Sequence, residues 1–130
     1  MTPPAGQISA GKVPEDFDVS TTAGAIEFII DFAKRTYGCP VAFYTSPRYD
    51  SAEYEELVAL LGAIAGKWEI PVIDLWNDDV FNALSDEQRK RWMADPIHPT
   101  AEGYLEWWTP RFEQAFEKIL KRAAGNAVPR

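Results

Sequence analysis

Residues 38–75, GCPVAFYTSPRYDSAEYEELVALLGAIAGKWEIPVIDL, hold the reading on which the fold turns. Val41 to Tyr44 is a short apolar run of the kind that parallel sheets bury on both faces, and Thr45-Ser46-Pro47 ends it. A helix opens at Asp50 or Ser51. With Asp50 as N-cap, Glu53 stands at the third helical position, the spacing of a capping box. Tyr54, Leu57, Val58, Leu61, Ala65 and Trp68 recur at helical steps and mark its buried face. Ile70 to Leu75 is a second strand, where Pro71 is tolerable only near the start because it has no N–H to donate. Strand, helix and strand at this spacing predict a βαβ unit with a right-handed crossover, and hence an α/β fold.

Outward from this unit the pattern continues. Upstream, Asp18 to Thr22 offers N-cap oxygens for a helix running to about Tyr37. Ile26, Ile29, Ile30, Ala33 and Tyr37 form its apolar stripe. Gly38 followed by Cys39-Pro40 stops it, because glycine tolerates a left-handed turn and proline cannot continue the helix. Cys39 reads as a small buried hydrophobe. Downstream, Asp78-Asp79 suits a helix N-terminus, and Ser85-Asp86-Glu87-Gln88 is a capping box. Thr100 caps a last helix carrying Tyr104, Leu105 and Trp108. Thr109-Pro110 should kink or restart it, since proline lacks the donor and clashes one turn back. Phe112, Phe116, Ile119 and Leu120 extend the apolar face.

Composition narrows the function. The chain has 130 residues, 46% of them hydrophobic and 25% charged, which suits one soluble globular domain rather than disorder. Thirteen Lys and Arg against twenty Asp and Glu leave a net charge of −7. The longest basic run is Arg89-Lys90-Arg91. Nucleic acids and anionic membranes need clustered positive charge, so neither is an expected partner. No stretch approaches a signal peptide or a membrane span, and the chain reads as cytoplasmic. The single cysteine and single histidine exclude a disulfide framework and a Cys-based zinc site. No metal and no cofactor are expected.

The most informative hexamer is Asp95-Pro96-Ile97-His98-Pro99-Thr100. It places the only histidine on a proline-stiffened loop, three residues after an acid. A carboxylate on one imidazole nitrogen fixes the tautomer and stabilises the imidazolium, which leaves the other nitrogen to take a proton from a hydroxyl. The same spacing also suits a purely local hydrogen bond that closes the loop before a helix. Trp76 and Asn77 directly follow a strand, at the edge where open α/β sheets place ligands, and are candidate substrate-binding residues. The seventeen aromatic residues read mainly as core, although Trp107 and Trp108 lie about 100° apart on a helix and cannot both face inward.

Asp95 to Tyr104, DPIHPTAEGY, resembles the final block of the SGNH (GDSL-type) hydrolases. Gly6 to Ser9, Asp16-Phe17-Asp18, Gly38 to Thr45, Arg48-Tyr49-Asp50 and Val72 to Asp78 are similar to a bacterial branch of that family, so the likeness runs over roughly residues 6–123. It implies an acyl-ester hydrolase acting on a small-molecule or carbohydrate ester, such as an acetyl group on a sugar. His98 would be its general base and Asp95 the orienting acid. It implies a partial three-layer α/β/α fold of flavodoxin-like type, with parallel strands and the N-terminal half of the domain absent. Residues 1–15 would be a flexible N-terminal segment, 16–123 the C-terminal part of the domain, and 124–130 a flexible tail.

The family's nucleophile lies in a Gly-Asp-Ser motif and its oxyanion hole in a Gly-x-Asn-Asp block; neither motif occurs here. Ser46 follows a strand, but Pro47 comes directly after it. The chain alone is therefore expected to be inactive, because losing a triad member costs several powers of ten in rate. The alternative is a non-catalytic binding or interaction module that keeps the frame, with an exposed sheet edge open to self-association.

Overall fold

A computed structural model describes residues 3–126, so the expected tail lies outside the described residues from 127 onward. The chain divides into two compact units, residues 3–43 with 51–72, and residues 44–50 with 73–126. In order along the chain the elements are α1 (Thr22–Tyr37), β1 (Phe43–Tyr44), α2 (Ala52–Trp68), β2 (Val72–Ile73), α3 (Asp79–Asn82), α4 (Asp86–Trp92), α5 (Ala101–Gly103), a π segment (Tyr104–Trp108) and α6 (Thr109–Asn126).

The three-layer α/β/α arrangement is overturned. Of the described residues 59% are helical and 5% are in strands or bridges, and the only sheet among them is a parallel pair of two-residue strands. Phe43 N–H donates to the Pro71 carbonyl at 3.3 Å, and Thr45 N–H to the Ile73 carbonyl at 3.1 Å. Proline explains why pairing stops there. Pro71 has no donor, while Pro40 and Pro47 bracket the other segment. With no third strand among the described residues, helices supply the cores.

In the first unit, α1 is capped by Thr21 Oγ1, which accepts the Gly24 N–H, and ends at Gly38 in the left-handed conformation. The N-terminal segment closes the start of α1 further. The Pro4 and Ala5 carbonyls accept the Thr22 and Ala23 N–H groups, which have no partner within the helix. Helix α2 starts at Ser51, whose hydroxyl accepts the Tyr54 N–H, and buries Val58, Leu61, Ile64, Ala65 and Trp68, close to the expected face. The core joins Phe17, Ala23, Ile30, Ile64, Ala65, Trp68 and Ile70. Full burial of a side chain such as Ile30 is worth about 1.5–3 kcal/mol.

The buried face of α1 is rotated from the expected stripe. Ile30 is inside, but Ile29 and Tyr37 are exposed, and Glu27 and Asp31 are buried instead. A carboxylate can take an inward position only if it is paired and hydrogen-bonded. Glu27 is both. Lys67 Nζ pairs with Oε1, Trp68 Nε1 donates to the same oxygen at 3.0 Å, and the Ser9 N–H donates to Oε2 at 2.9 Å. Lys67 also donates to the Ser9 and Gly11 carbonyls, so one ion pair fastens the N-terminal segment to both helices. Cys39, expected inside, is exposed on the connection that leaves Gly38.

In the second unit the core joins Ile73, Leu75, Phe81, Trp107 and Ala115. Phe81 and Trp107 stack at 4.4 Å, and Trp107 Nε1 donates to the Phe81 carbonyl at 2.9 Å. Asp78 caps α3 through Oδ1 and takes the Arg111 Nε–H of α6 at 2.9 Å on Oδ2. The Ser85–Gln88 capping box forms reciprocally, as its spacing predicts. Pro110 does not restart the last helix. The chain widens into a π turn just before it, with Thr109 N–H donating to the Tyr104 carbonyl, five residues back. That extra residue absorbs the missing proline donor without breaking the helix.

Burial would push the Glu27 carboxyl up, but hydrogen bonds from Lys67, Ser9 and Trp68 outweigh it and hold the pKa below the ordinary value. The stability this confers is therefore full above about pH 4.3 and lost as pH falls through the lowered folded value. Glu27→Ala strands the Lys67 ammonium and two N–H donors, and should cost about 3–5 kcal/mol in urea unfolding. A loss below about 1 kcal/mol, the range of surface pairs, would show that the pair does not organise the unit.

Candidate functional site

The loop from Met93 to Pro99 is built almost entirely by its own hydrogen bonds. Met93 and Pro99 form an antiparallel bridge. Ala94 N–H donates to the His98 carbonyl and Thr100 N–H to the Trp92 carbonyl, each at 2.8 Å. Thr100 Oγ1 donates to the Arg91 carbonyl and accepts the Gly103 N–H, so α5 begins where the loop ends. Gly103 is required at that seat, because a Cβ there would lie 2.2 Å from the Trp92 carbonyl oxygen.

Within this loop Asp95 and His98 meet. Asp95 Oδ1 accepts the Ile97 N–H at 2.7 Å and the His98 N–H at 2.6 Å. Oδ2 lies 2.8 Å from His98 Nδ1. Nδ1 also lies 3.1 Å from Oδ1, so one carboxylate holds both the loop backbone and the imidazole. The hydrogen bonds from the His98 and Ile97 amides, then that from the imidazole, hold the Asp95 carboxyl below the usual range. A carboxylate on Nδ1 selects the tautomer with the proton on that nitrogen, leaving the Nε2 lone pair facing outward. The His98 side chain is 70% exposed, and Nε2 makes no hydrogen bond among the described residues.

No described serine hydroxyl is hydrogen-bonded to His98. Ser46 Oγ donates to the Pro47 carbonyl at 2.9 Å. Trp76 is buried at 3% exposure, its ring edge-on to Tyr49 at 5.5 Å, so it presents no open platform. Asn77 is exposed, and its Nδ2 donates to Asp74 Oδ2 at 2.7 Å. Asp74 Oδ1 in turn accepts the Thr45 hydroxyl at 2.9 Å. Among the described residues no group of three or more His, Cys, Asp or Glu could hold a metal ion, and no helix is long and apolar enough to cross a membrane.

Two cavities open beside the loop, and motif spacing does not reveal them. One, of about 340 Å³, is lined by Arg48, Asp79, Asn82, Arg89 and Trp107 among others. The second, of about 590 Å³, shares Arg48 and Arg89 and adds Asp95, Lys90, Asp50 and Asp86. Arg48 stands in a segment read only as part of the family likeness, and Arg89 only as one member of a basic run. Spacing cannot say which cation of that run finds a partner. Arg91 is taken by Glu102 and Glu106 at 2.8 Å each; Arg89 is not.

Comparison with protein-family models, curated proteins and solved structures returns no match. The likeness to the SGNH hydrolases therefore rests on the residues themselves.

The Asp95 clamp has a titration signature. As pH falls through the depressed Asp95 pKa, the Ile97 and His98 amides lose their acceptor together. Their amide NMR shifts should move with one shared midpoint below the ordinary aspartate value of about 3.9, and Asp95→Asn should abolish that transition. Separate midpoints, or a shared one at or above that value, would contradict the clamp.

Proposed function

We propose that this chain supplies the Asp–His general-base element of an SGNH-type acyl-ester hydrolase. The observation that carries the reading is the double use of Asp95, whose carboxylate accepts two loop amides on Oδ1 and holds the imidazole Nδ1 at 2.8 Å from Oδ2 and 3.1 Å from Oδ1. Nε2 is thereby left as a preset, solvent-facing base. In the reaction it takes the proton of a serine hydroxyl as that oxygen attacks the ester carbonyl. The resulting imidazolium, paired with Asp95, returns the proton to the departing alkoxide. The serine and the oxyanion donors come from a segment other than the described residues. An acetyl or other short acyl ester, on a small molecule or a carbohydrate, is the proposed substrate.

Long-range ¹H–¹⁵N correlation on the neutral imidazole tests the central observation. The Nδ1–H tautomer should dominate for His98 and lose its dominance in Asp95→Asn; a dominant Nε2–H tautomer in the unmodified chain would remove the base. The chain by itself should hydrolyse p-nitrophenyl acetate no faster than His98→Ala. Saturable turnover that depends on His98, with a fluorophosphonate labelling a serine of this chain, would place the nucleophile here instead.

A second reading, an interaction module, draws on one surface. Tyr104, Leu105, Phe116 and Leu120 are exposed along the π segment and α6, beside an open groove of about 430 Å³ walled by Tyr44, Trp108 and Phe112. If a second copy covers this face, sedimentation equilibrium should show a concentration-dependent dimer that Phe116→Ser dissociates. A monomer at every concentration would reject this use of the face.

A further inference from the structure

The two cavities beside the Asp95 loop share Arg48, Arg89, Met93 and Pro96 in their linings. We propose that they bind a carboxylate, and that the ester served by His98 carries this group on its acid or alcohol part, gripped by Arg48 and Arg89. The assignment of the carboxylate to a substrate rests on the general-base reading above; the binding site itself does not.

Four observations converge on an anion. The smaller cavity holds two guanidinium groups against a single carboxylate, Asp79. That carboxylate is 88% exposed and 3.5 Å from Arg48 Nη2, so solvent rather than Arg48 is its main partner. Arg48 is held in place from behind. Its backbone N–H donates to Asn82 Oδ1 at 2.8 Å and its Nε–H to the Trp76 carbonyl at 3.1 Å, which fixes the side chain at two points along its length. Asn82 cannot swing away, because its Nδ2 donates to the Leu75, Trp76 and Asp78 carbonyls. Finally, Arg89 makes no side-chain hydrogen bond or ion pair among the described residues, although Arg91, one half-turn on, is engaged twice. Arg48, anchored through Nε, and Arg89, exposed with its donors unspent, together offer guanidinium N–H groups to a planar carboxylate.

Charge decides both the occupant and its placement. The chain carries −7 overall and repels anions in general, so any anion held here is held locally. The larger cavity adds Lys90 to the two shared arginines and is also lined by Asp50, Asp86 and Asp95. The smaller one is lined by the same two arginines with Asp79 as its single carboxylate, so an added carboxylate meets less repulsion there than beside the three aspartates of the larger cavity. The carboxylate therefore lies in the smaller cavity, over Trp107 and Leu84. The rest of the molecule extends toward the larger one, whose wall adds Asp95 to the shared Pro96.

The test uses the full chain and three small probes: benzoate, the neutral benzamide and phenyl phosphate. Benzoate should shift the Nε–H signals of Arg48 and Arg89 and bind at least about tenfold more tightly than benzamide, as a charged hydrogen-bonded pair requires. Arg89→Gln, which breaks no internal bond, should lose about tenfold in benzoate affinity, with Arg89→Lys losing less. His98→Ala should leave benzoate binding unchanged, which separates this site from the base. Equal affinities for benzoate and benzamide, arginine signals that do not move, or an unaffected Arg89→Gln would each overturn the proposal. Tighter binding of phenyl phosphate than of benzoate would overturn the assignment to a carboxylate. If the His98 tautomer test fails while benzoate still binds, only the general-base reading falls.

Discussion

Pro40, Pro47 and Pro71 limit how far backbone pairing runs along the two extended segments, and the architecture follows from that limit. A parallel ladder needs a donor at every second residue of each strand. Here it is confined to Phe43–Thr45 against Pro71–Ile73, with Phe43 and Thr45 donating to the Pro71 and Ile73 carbonyls. A pair of two-residue strands cannot support a sheet with helices layered on both faces. The apolar surface that a wider sheet would have covered is met instead by helix packing within each unit, with Ile30 and Trp68 at the centre of one core and Phe81 and Trp107 at the centre of the other.

A carboxylate is held inside the first unit by several donors that converge on it. Glu27 accepts from an ammonium, an indole and a backbone amide, and so occupies a position that its side chain would otherwise be excluded from. Asp95 follows the same rule at the surface. Its two oxygens take two loop amides and the imidazole Nδ1, and the loop that carries His98 is ordered by the same carboxylate that sets its tautomer. Loop order and imidazole orientation are thus one interaction.

Local features were legible from residue order because their physics is local. Thr21, Ser51, Ser85 and Thr100 cap helices where hydroxyls precede periodic apolar residues, and Gly38 adopts the left-handed turn that a helix end before proline asks for. The Asp95–His98 contact belongs to the same class, with both partners on one turn. The inward face of α1 was not legible. Periodicity ranks Ile29 above Glu27 for burial, and only the arrival of Lys67, 40 residues away, reverses that order. The Arg48–Arg89 site escaped for a similar reason, since neither residue lies in a motif and their cavity is closed by chain segments far apart in sequence.

Sequence alone determined the helices, their caps and the acid–histidine loop, all of which depend on neighbours within about one turn. Tertiary structure alone decided that the βαβ signal ends in two-residue strands rather than a layered sheet. It also decided which charges are buried in pairs and which are left facing a cavity. These outcomes depend on which distant groups meet, and Lys67 and Arg89, two cations on helix surfaces, show the difference. One is saturated by Glu27 and the carbonyls of the N-terminal segment, and the other is left with its donors unspent.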